Sequence, residues 1–187
     1  MRETDSWPFV EAKWFQKWDQ PVRRPVRVVV IHDMEFYERP DTAEAIARDF
    51  ATRLANNKGS AHVCIDNNSI VQGVKDNDIA YAAPGCNHDG IQIELAGYMK
   101  QTKEQWLDTY GIALMALGAD VTAQYCLKYT LPPIKLTNAQ LLAGQKGIVG
   151  HDQVSVVYKK SNHPDPGPNF PWTYFMNHVV SAYQSRV

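Results

Sequence analysis

Three residues that lie far apart in the chain carry side chains suited to binding zinc. His32 follows an apolar run over residues 28–31, so a buried strand would deliver its side chain to the edge of a sheet. His151 and Asp165 lie within residues 150–172, a segment rich in Pro, Gly and Asn that predicts a loop. Two histidines and one carboxylate leave one position of a tetrahedral zinc open. An open site is catalytic, whereas structural zinc sites are closed by four protein ligands.

At these residues the chain resembles the zinc-dependent N-acetylmuramoyl-L-alanine amidases, a family that includes phage endolysins and peptidoglycan recognition proteins. The resemblance runs from about residue 26 to residue 172. It rests on four motifs: a strand ending in a ligand histidine, a strand similar to Gly-Ile-Glu-Leu, a Gly-His segment and a (Cys/Asp)-Pro-Gly segment. In this chain these motifs are Val30-Ile31-His32, Gly90-Ile91-Gln92-Ile93-Glu94-Leu95, Gly150-His151 and Asp165-Pro166-Gly167.

The resemblance implies an activity as well as a set of ligands. It implies Zn²⁺ bound by His32, His151 and Asp165, and hydrolysis of the amide between N-acetylmuramic acid and L-alanine in peptidoglycan. Members of the family use a glutamate or a tyrosine as the base. At the position similar to that tyrosine this chain has Ala61, which leaves Glu94 as the predicted base. In a strand, Glu94 would point away from its apolar neighbours.

His163 occupies a position where the family often has a lysine, two residues before the third zinc ligand. A histidine there can donate a hydrogen bond to the oxyanion or a proton to the leaving amine, so we predict a catalytic role for it. A rival assignment makes His163 the ligand and leaves Asp165 beside the site. Asp165 could also serve only to initiate a turn before Pro-Gly. The roles of Asp33 and Glu35, next to His32, stay open at this point.

Two other classes of function compete with an amidase. One is a peptidoglycan-binding module of the same fold that does not cut its ligand, and the presence of all three predicted ligands argues against it. The other is an unrelated zinc peptidase, but the chain has no His-Glu-x-x-His helix to carry one. We expect structural roles for the other histidines, which are His62, His88 and His178.

Length and composition narrow the possible partners. A net charge of −1, with acidic and basic residues interspersed, gives no field that would favour nucleic acid. No apolar run approaches the ~20 residues of a spanning helix, so no membrane insertion is expected. Three separated cysteines are typical of reduced thiols. We expect a monomer that binds peptidoglycan. Residues 1–9 lack the apolar core of a signal peptide, which suits a phage lysin held in the host cytoplasm before it reaches the cell wall.

The patterns of apolar residues predict an α/β fold in one domain, with a central mixed β-sheet flanked by helices and the zinc site in a groove at the sheet edge. An aromatic arm, residues 1–25, would pack on the amidase domain, residues 26–187. The predicted strands cover residues 28–32, 61–65, 69–73 and 90–96. The predicted helices cover residues 43–54, 102–129, 137–142 and 172–182. Asp41 and Glu44 have the spacing of a capping box for the first helix.

Overall fold

The computed structural model describes residues 7–187. Its strands are β1 (Phe15–Gln16), β2 (Val28–Asp33), β3 (Val63–Ile65), β4 (Ile70–Gln72), β5 (Ile79–Ala80), β6 (Gly90–Leu95) and β7 (Gly147–Gly150). Its helices are α1 (Thr42–Thr52), α2 (Lys103–Trp106), α3 (Thr109–Tyr129), α4 (Asn138–Leu142), α5 (His151–Tyr158) and α6 (Trp172–Gln184). No helix within the described residues combines the length and apolar character needed to cross a membrane.

The central sheet is mixed and has five strands in the order β4-β3-β6-β2-β7. Strands β3, β6, β2 and β7 run parallel, and β4 pairs antiparallel with β3 in a hairpin. Every residue of β2 is buried because the strand has a neighbour on both sides and helices on both faces. The predicted α/β fold with a mixed central sheet is confirmed.

The side chains of β2 alternate between two apolar layers. Val29 and Ile31 pack with residues of α3 and α6 on one face of the sheet. Val28 and Val30 pack on the other face with side chains of β7, α4 and α5, among them Val154. A strand buried on both faces therefore reads as a continuous apolar run, and that run ends at the polar His32.

The prediction of one helix over residues 102–129 is wrong, because α2 and α3 are separate. Thr102 caps α2 by accepting a hydrogen bond from the backbone N–H of Gln105. Asp108 then caps α3 by accepting from the N–H of Gly111. Two capping side chains six residues apart thus start two helices in place of one. Gly118 lets α3 pack closely against the sheet, since a Cβ there would lie 2.9 Å from Leu95 Cδ2 and the leucine side chain would have to shift.

The predicted capping box of the first helix is also wrong. The Asp41 side chain makes no capping hydrogen bond, and α1 ends at Thr52, short of the predicted residue 54. The N–H of Ala43 instead donates to Asp66 Oδ2 at 2.9 Å. Asp66 also accepts from the N–H groups of Asn68 and Ser69 in the hairpin turn. One buried carboxylate therefore joins the start of α1 to the β3–β4 turn.

The predicted loop over residues 150–172 is wrong in its first third. Residues 147–150 form strand β7, and α5 begins at His151. Four residues with a glycine at each end give little sequence indication of a strand, and β7 exists because it pairs with β2 along Val28–Ile31. The rest of the segment, residues 159–171, is irregular as predicted.

The N-terminal arm lies on the domain along most of its described length. The Trp7 ring is buried and meets the Tyr125 ring edge-on at 6.0 Å. Strand β1 pairs with β5, and the buried Arg24 guanidinium donates to the carbonyls of His88, Gly90 and Asp76. Residues 1–6 lie outside the described residues. They belong to the predicted arm and to residues 1–9, where the sequence shows no signal-peptide pattern.

Candidate metal centre

Three buried side chains meet where the parallel strands end. His32 is near the end of β2, His151 opens α5 directly after β7, and Asp165 comes from the irregular segment of residues 159–171. They are 2%, 2% and 6% exposed, and their ligand atoms all lie within 4.8 Å of one another. The carboxyl ends of parallel strands thus bring together residues that are distant in sequence, as predicted for a site at the sheet edge.

The Asp165 carboxylate lies between the two imidazoles. Its Oδ2 is 2.9 Å from His32 Nδ1, and its Oδ1 is 3.1 Å from His151 Nδ1. Ligand atoms about 2.0–2.1 Å from a tetrahedral zinc lie roughly 3.3 Å apart, so these spacings suit such an ion. Two imidazole nitrogens and one carboxylate oxygen are also a donor set that zinc accepts. The residues present therefore fit the metal that the sequence predicts.

The electrostatics of this cluster follow from burial and close pairing. Burial alone would lower the pKa of His32, but the hydrogen bond to Asp165 and the charge of Glu94 outweigh it and raise the pKa to about 9. Burial alone would raise the pKa of Asp165, but hydrogen bonds from His151 and His32 hold it below its usual value. The carboxylate is consequently ionised and ready to bind a cation.

His163 lies at the rim of the cluster. Its ring stacks on the His151 ring, with centroids 4.7 Å apart and an angle of 13° between the planes. Its Nδ1 is 3.8 Å from Asp165 Oδ1, and 64% of its side chain is exposed. The geometry thus puts Asp165, and not His163, between the other two predicted ligands. His163 faces the open side, from which a substrate would approach.

Glu94 lies beside the cluster on β6, directly across from His32 in the parallel register. Its neighbours Ile93 and Leu95 are in the apolar core on the other face, as predicted. Its Oε2 is buried and has no hydrogen-bond partner among the described residues. Burial raises the pKa of Glu94 to about 7, against the opposing charge of His32. A partly buried carboxylate with one unpartnered oxygen, in the same groove as a donor set of this kind, is a strong candidate for proton transfer.

A groove of about 410 Å³ opens over the cluster, and its size is typical of a ligand site. The groove is lined by the predicted ligands and also by Asp33 and Glu35, whose roles the sequence analysis left open. Asp33 is 6% exposed, and its Oδ2 has no partner among residues 7–187. Burial raises the pKa of Asp33 to about 8. Glu35 accepts a hydrogen bond from the N–H of Met99. The other groove-lining residues come mainly from α1, from the turn that follows it and from residues 81–87.

Gln92 is a site residue that the sequence analysis assigned no role. It is fully buried, and its Oε1 is 2.9 Å from His32 Nε2. Its side-chain amide donates to the carbonyl of Cys86 at 3.0 Å, which fixes the orientation of the amide. An Nε2–H held by Gln92 leaves Nδ1 of His32 for the metal. The sequence did offer one indication that Gln92 belongs to the site: strand alternation puts it on the same face as Glu94.

His151 has a corresponding partner in Ser161. The Ser161 hydroxyl is 3.2 Å from His151 Nε2 and 2.7 Å from the Ser155 hydroxyl. Both histidines therefore present Nδ1 to the cluster while their Nε2 atoms contact polar side chains. Among the other histidines, burial and the charge of Arg24 lower the pKa of His62 to about 3, so it is neutral, and it accepts a hydrogen bond from the N–H of Gln92.

Comparison with known proteins identifies the family. A family model described as N-acetylmuramoyl-L-alanine amidase matches residues 22–168. The chain belongs to this family. The matched segment contains all five predicted site residues of this amidase, and it confirms the resemblance read from the sequence. No curated protein sequence matches the chain at a significant level.

Solved structures share the amidase fold at low sequence identity. The Staphylococcus aureus hydrolase AmiA, solved with its ligand, has a TM-score of 0.71 at 16% identity, with 96% of this chain and 83% of that chain covered. A selenomethionine derivative of AmpD has a TM-score of 0.67 at 20% identity, with 96% of this chain and 98% of that chain covered. LysCS from Clostridium intestinale URNW is described as an endolysine N-acetylmuramoyl-L-alanine amidase. It has a TM-score of 0.53 at 17% identity, with 92% of this chain and 95% of that chain covered.

The contact between Gln92 and His32 predicts a measurable contribution to metal binding. Gln92→Leu should weaken zinc affinity by roughly 10- to 100-fold, the usual effect of losing a partner of a ligand histidine. Ser161→Ala removes the longer contact to His151 and should cost less than 10-fold. Competition with a chelating dye measures both affinities, and the melting temperature of each metal-free variant reports on folding. Unchanged zinc affinity in folded Gln92→Leu would contradict the assignment.

Proposed function

We propose that this amidase hydrolyses the bond between N-acetylmuramic acid and L-alanine with a zinc ion held by His32, His151 and Asp165. One observation carries the proposal: the three buried donors share a groove with Glu94, whose Oε2 has no hydrogen-bond partner among the described residues. When bound, zinc lowers the pKa of a coordinated water and polarises the carbonyl under attack. A module that only binds peptidoglycan would not need this combination of ligands and base.

Glu94 is the proposed general base. Glu94 lines the same groove as the predicted ligands, and its Oε2 has no hydrogen-bond partner among the described residues, so the carboxylate can take a proton from the attacking water. The same carboxyl can then return that proton to the amine of L-alanine as the amide breaks. Its position across from His32 in neighbouring strands fixes the carboxylate relative to the metal ligands.

His163 is the proposed donor to the substrate. The exposed ring stacks on His151 and is free to approach a ligand in the groove. From there an imidazole N–H can donate to the carbonyl oxygen as negative charge develops, or donate a proton to the leaving amine. In this proposal His163 takes the place of the lysine that the family often has at the same position.

Zinc content should separate ligands from catalytic residues. Purified protein should hold about one zinc, and His151→Ala and Asp165→Ala should each lose it while the domain stays folded, because the apolar core does not depend on the site. His163→Ala is the matched control and should retain zinc but lose activity, with partial recovery in His163→Lys. Metal analysis by mass spectrometry measures this. Loss of zinc from His163→Ala with retention in Asp165→Ala would reverse the two roles.

Turnover on purified cell wall tests the proposed base and the reaction together. Glu94→Gln should keep zinc and still bind wall fragments, yet lose roughly 10²-fold or more in turnover, the usual scale for removing a general base. The active enzyme should release new amino groups on L-alanine without new reducing sugar ends. Release of reducing ends instead would indicate a glycosidase, and full activity in Glu94→Gln would exclude Glu94 as the base.

We also propose that the chain is an endolysin or the catalytic domain of one, because the fold is shared with LysCS, which is described as an endolysine. Such a lysin waits in the host cytoplasm until a separate protein permeabilises the membrane. Expression in a bacterium should then cause lysis only when a permeabilising protein is co-expressed, and His151→Ala should abolish that lysis. Lysis on expression of the chain alone would contradict this setting.

A further inference from the structure

The groove of the metal centre has charges of both signs, contributed by different parts of the fold. Its carboxylates come from β2 and the residues just after it, from β6 and from the segment that carries Asp165. Its lysine and arginine, Lys58 and Arg53, come from the segment that follows α1. A substrate lying in this groove therefore meets the metal ligands and the base at one part of its length and fixed positive charge at another.

Arg53 is held in place by three neighbours. Its Nε donates to Asp49 Oδ2 at 2.6 Å, and its guanidinium lies 4.3 Å from the centroid of the Phe50 ring. It also passes so close to Gly59 that a Cβ on that residue would collide with Nη1. Within the described residues no hydrogen bond uses Nη1 or Nη2. The guanidinium is thus oriented by the protein while its two terminal nitrogens remain available to a ligand.

Such a guanidinium is suited to a carboxylate. The planar fork of arginine donates two parallel hydrogen bonds to the two oxygens of one carboxylate, which gives both strength and geometric selectivity. Lys58 is the weaker candidate, because its ammonium lies 4.9 Å from the Trp14 ring and offers a point charge without a fork.

We infer that Arg53 binds a free carboxylate of the stem peptide and makes this amidase selective for acidic over amidated stems. The inference rests on the proposed function. In the proposed substrate the residue after L-alanine is a γ-linked glutamate, whose α-carboxyl group is either free or amidated. A carboxamide has one oxygen, and its NH₂ group would face the arginine donors.

Arg53 is positioned to bind a carboxylate on the stem residue next to the scissile amide. Arg53 and the proposed base, Glu94, line the same groove. A ligand whose scissile amide lies at the predicted metal ligands can therefore also contact the guanidinium. An extended peptide advances about 3.3–3.6 Å per residue, so the carboxylate to be bound belongs near the start of the stem.

Two ligands that differ in one group test the inference: N-acetylmuramoyl-L-alanyl-D-isoglutamate and the corresponding isoglutamine compound. Their binding to zinc-loaded Glu94→Gln protein, measured by calorimetry, should favour the acidic ligand by about 10-fold, the scale of one charge-assisted contact. Adding Arg53→Gln should bring the ratio close to one by weakening the acidic ligand alone. Arg53→Lys should retain part of the preference. Because the ratio compares two ligands on one protein, a partly unfolded sample does not change it.

Arg48→Gln is the matched control. Arg48 is exposed on α1, five residues before Arg53, and does not line the groove, so its loss should leave the ratio unchanged. Equal binding of the two ligands by the parent protein, or an unchanged ratio in Arg53→Gln, would overturn the inference. Binding decides this without turnover, whereas amine release by protein with intact Glu94 decides the proposed function. The expected ratios with no amine release would therefore support the arginine site and reject the amidase mechanism.

Discussion

The site depends on one buried carboxylate, Asp165, shared between His32 and His151. An ionised carboxylate at 6% exposure is costly unless charged or hydrogen-bonding partners surround it, and the two imidazoles supply those partners. His32 and Asp165 are 133 residues apart, and the contact therefore requires the completed sheet. The N–H of Asp152, at the start of α5, donates to the Asp165 carbonyl at 2.8 Å and ties the irregular segment to the strand ends. A metal bound here would stabilise the same arrangement.

Burial and hydrogen bonding give Asp165 and Glu94 different protonation behaviour. Hydrogen bonds from two imidazoles keep Asp165 ionised, whereas burial without a hydrogen bond to Oε2 raises the pKa of Glu94 to about 7. Two carboxylates in one groove thus differ in environment, one suited to hold a cation and the other to hold or release a proton. Gln92 fixes the ring of His32 from behind, and His163 remains exposed at the rim.

The candidate site was located from the sequence by local residue patterns together with the family resemblance. The apolar run before His32 and the alternation around Glu94 located two of its residues, and the Pro-Gly segment located Asp165. The errors in the fold have physical causes. β7 is a strand through its pairing with β2, which no local pattern reveals. The cap of α1 comes from Asp66, 23 residues along the chain from Ala43. The break between α2 and α3 was readable, since Asp108 is a favourable N-cap residue.

The metal ligands are the central claim, and anomalous diffraction at the zinc absorption edge tests them most directly. Crystals grown with zinc should give one strong peak in the groove, bound by Nδ1 of His32, Nδ1 of His151 and a carboxylate oxygen of Asp165, with Glu94 nearby but not coordinating. A peak coordinated by His163 in place of Asp165, or zinc bound only outside the groove, would contradict the account.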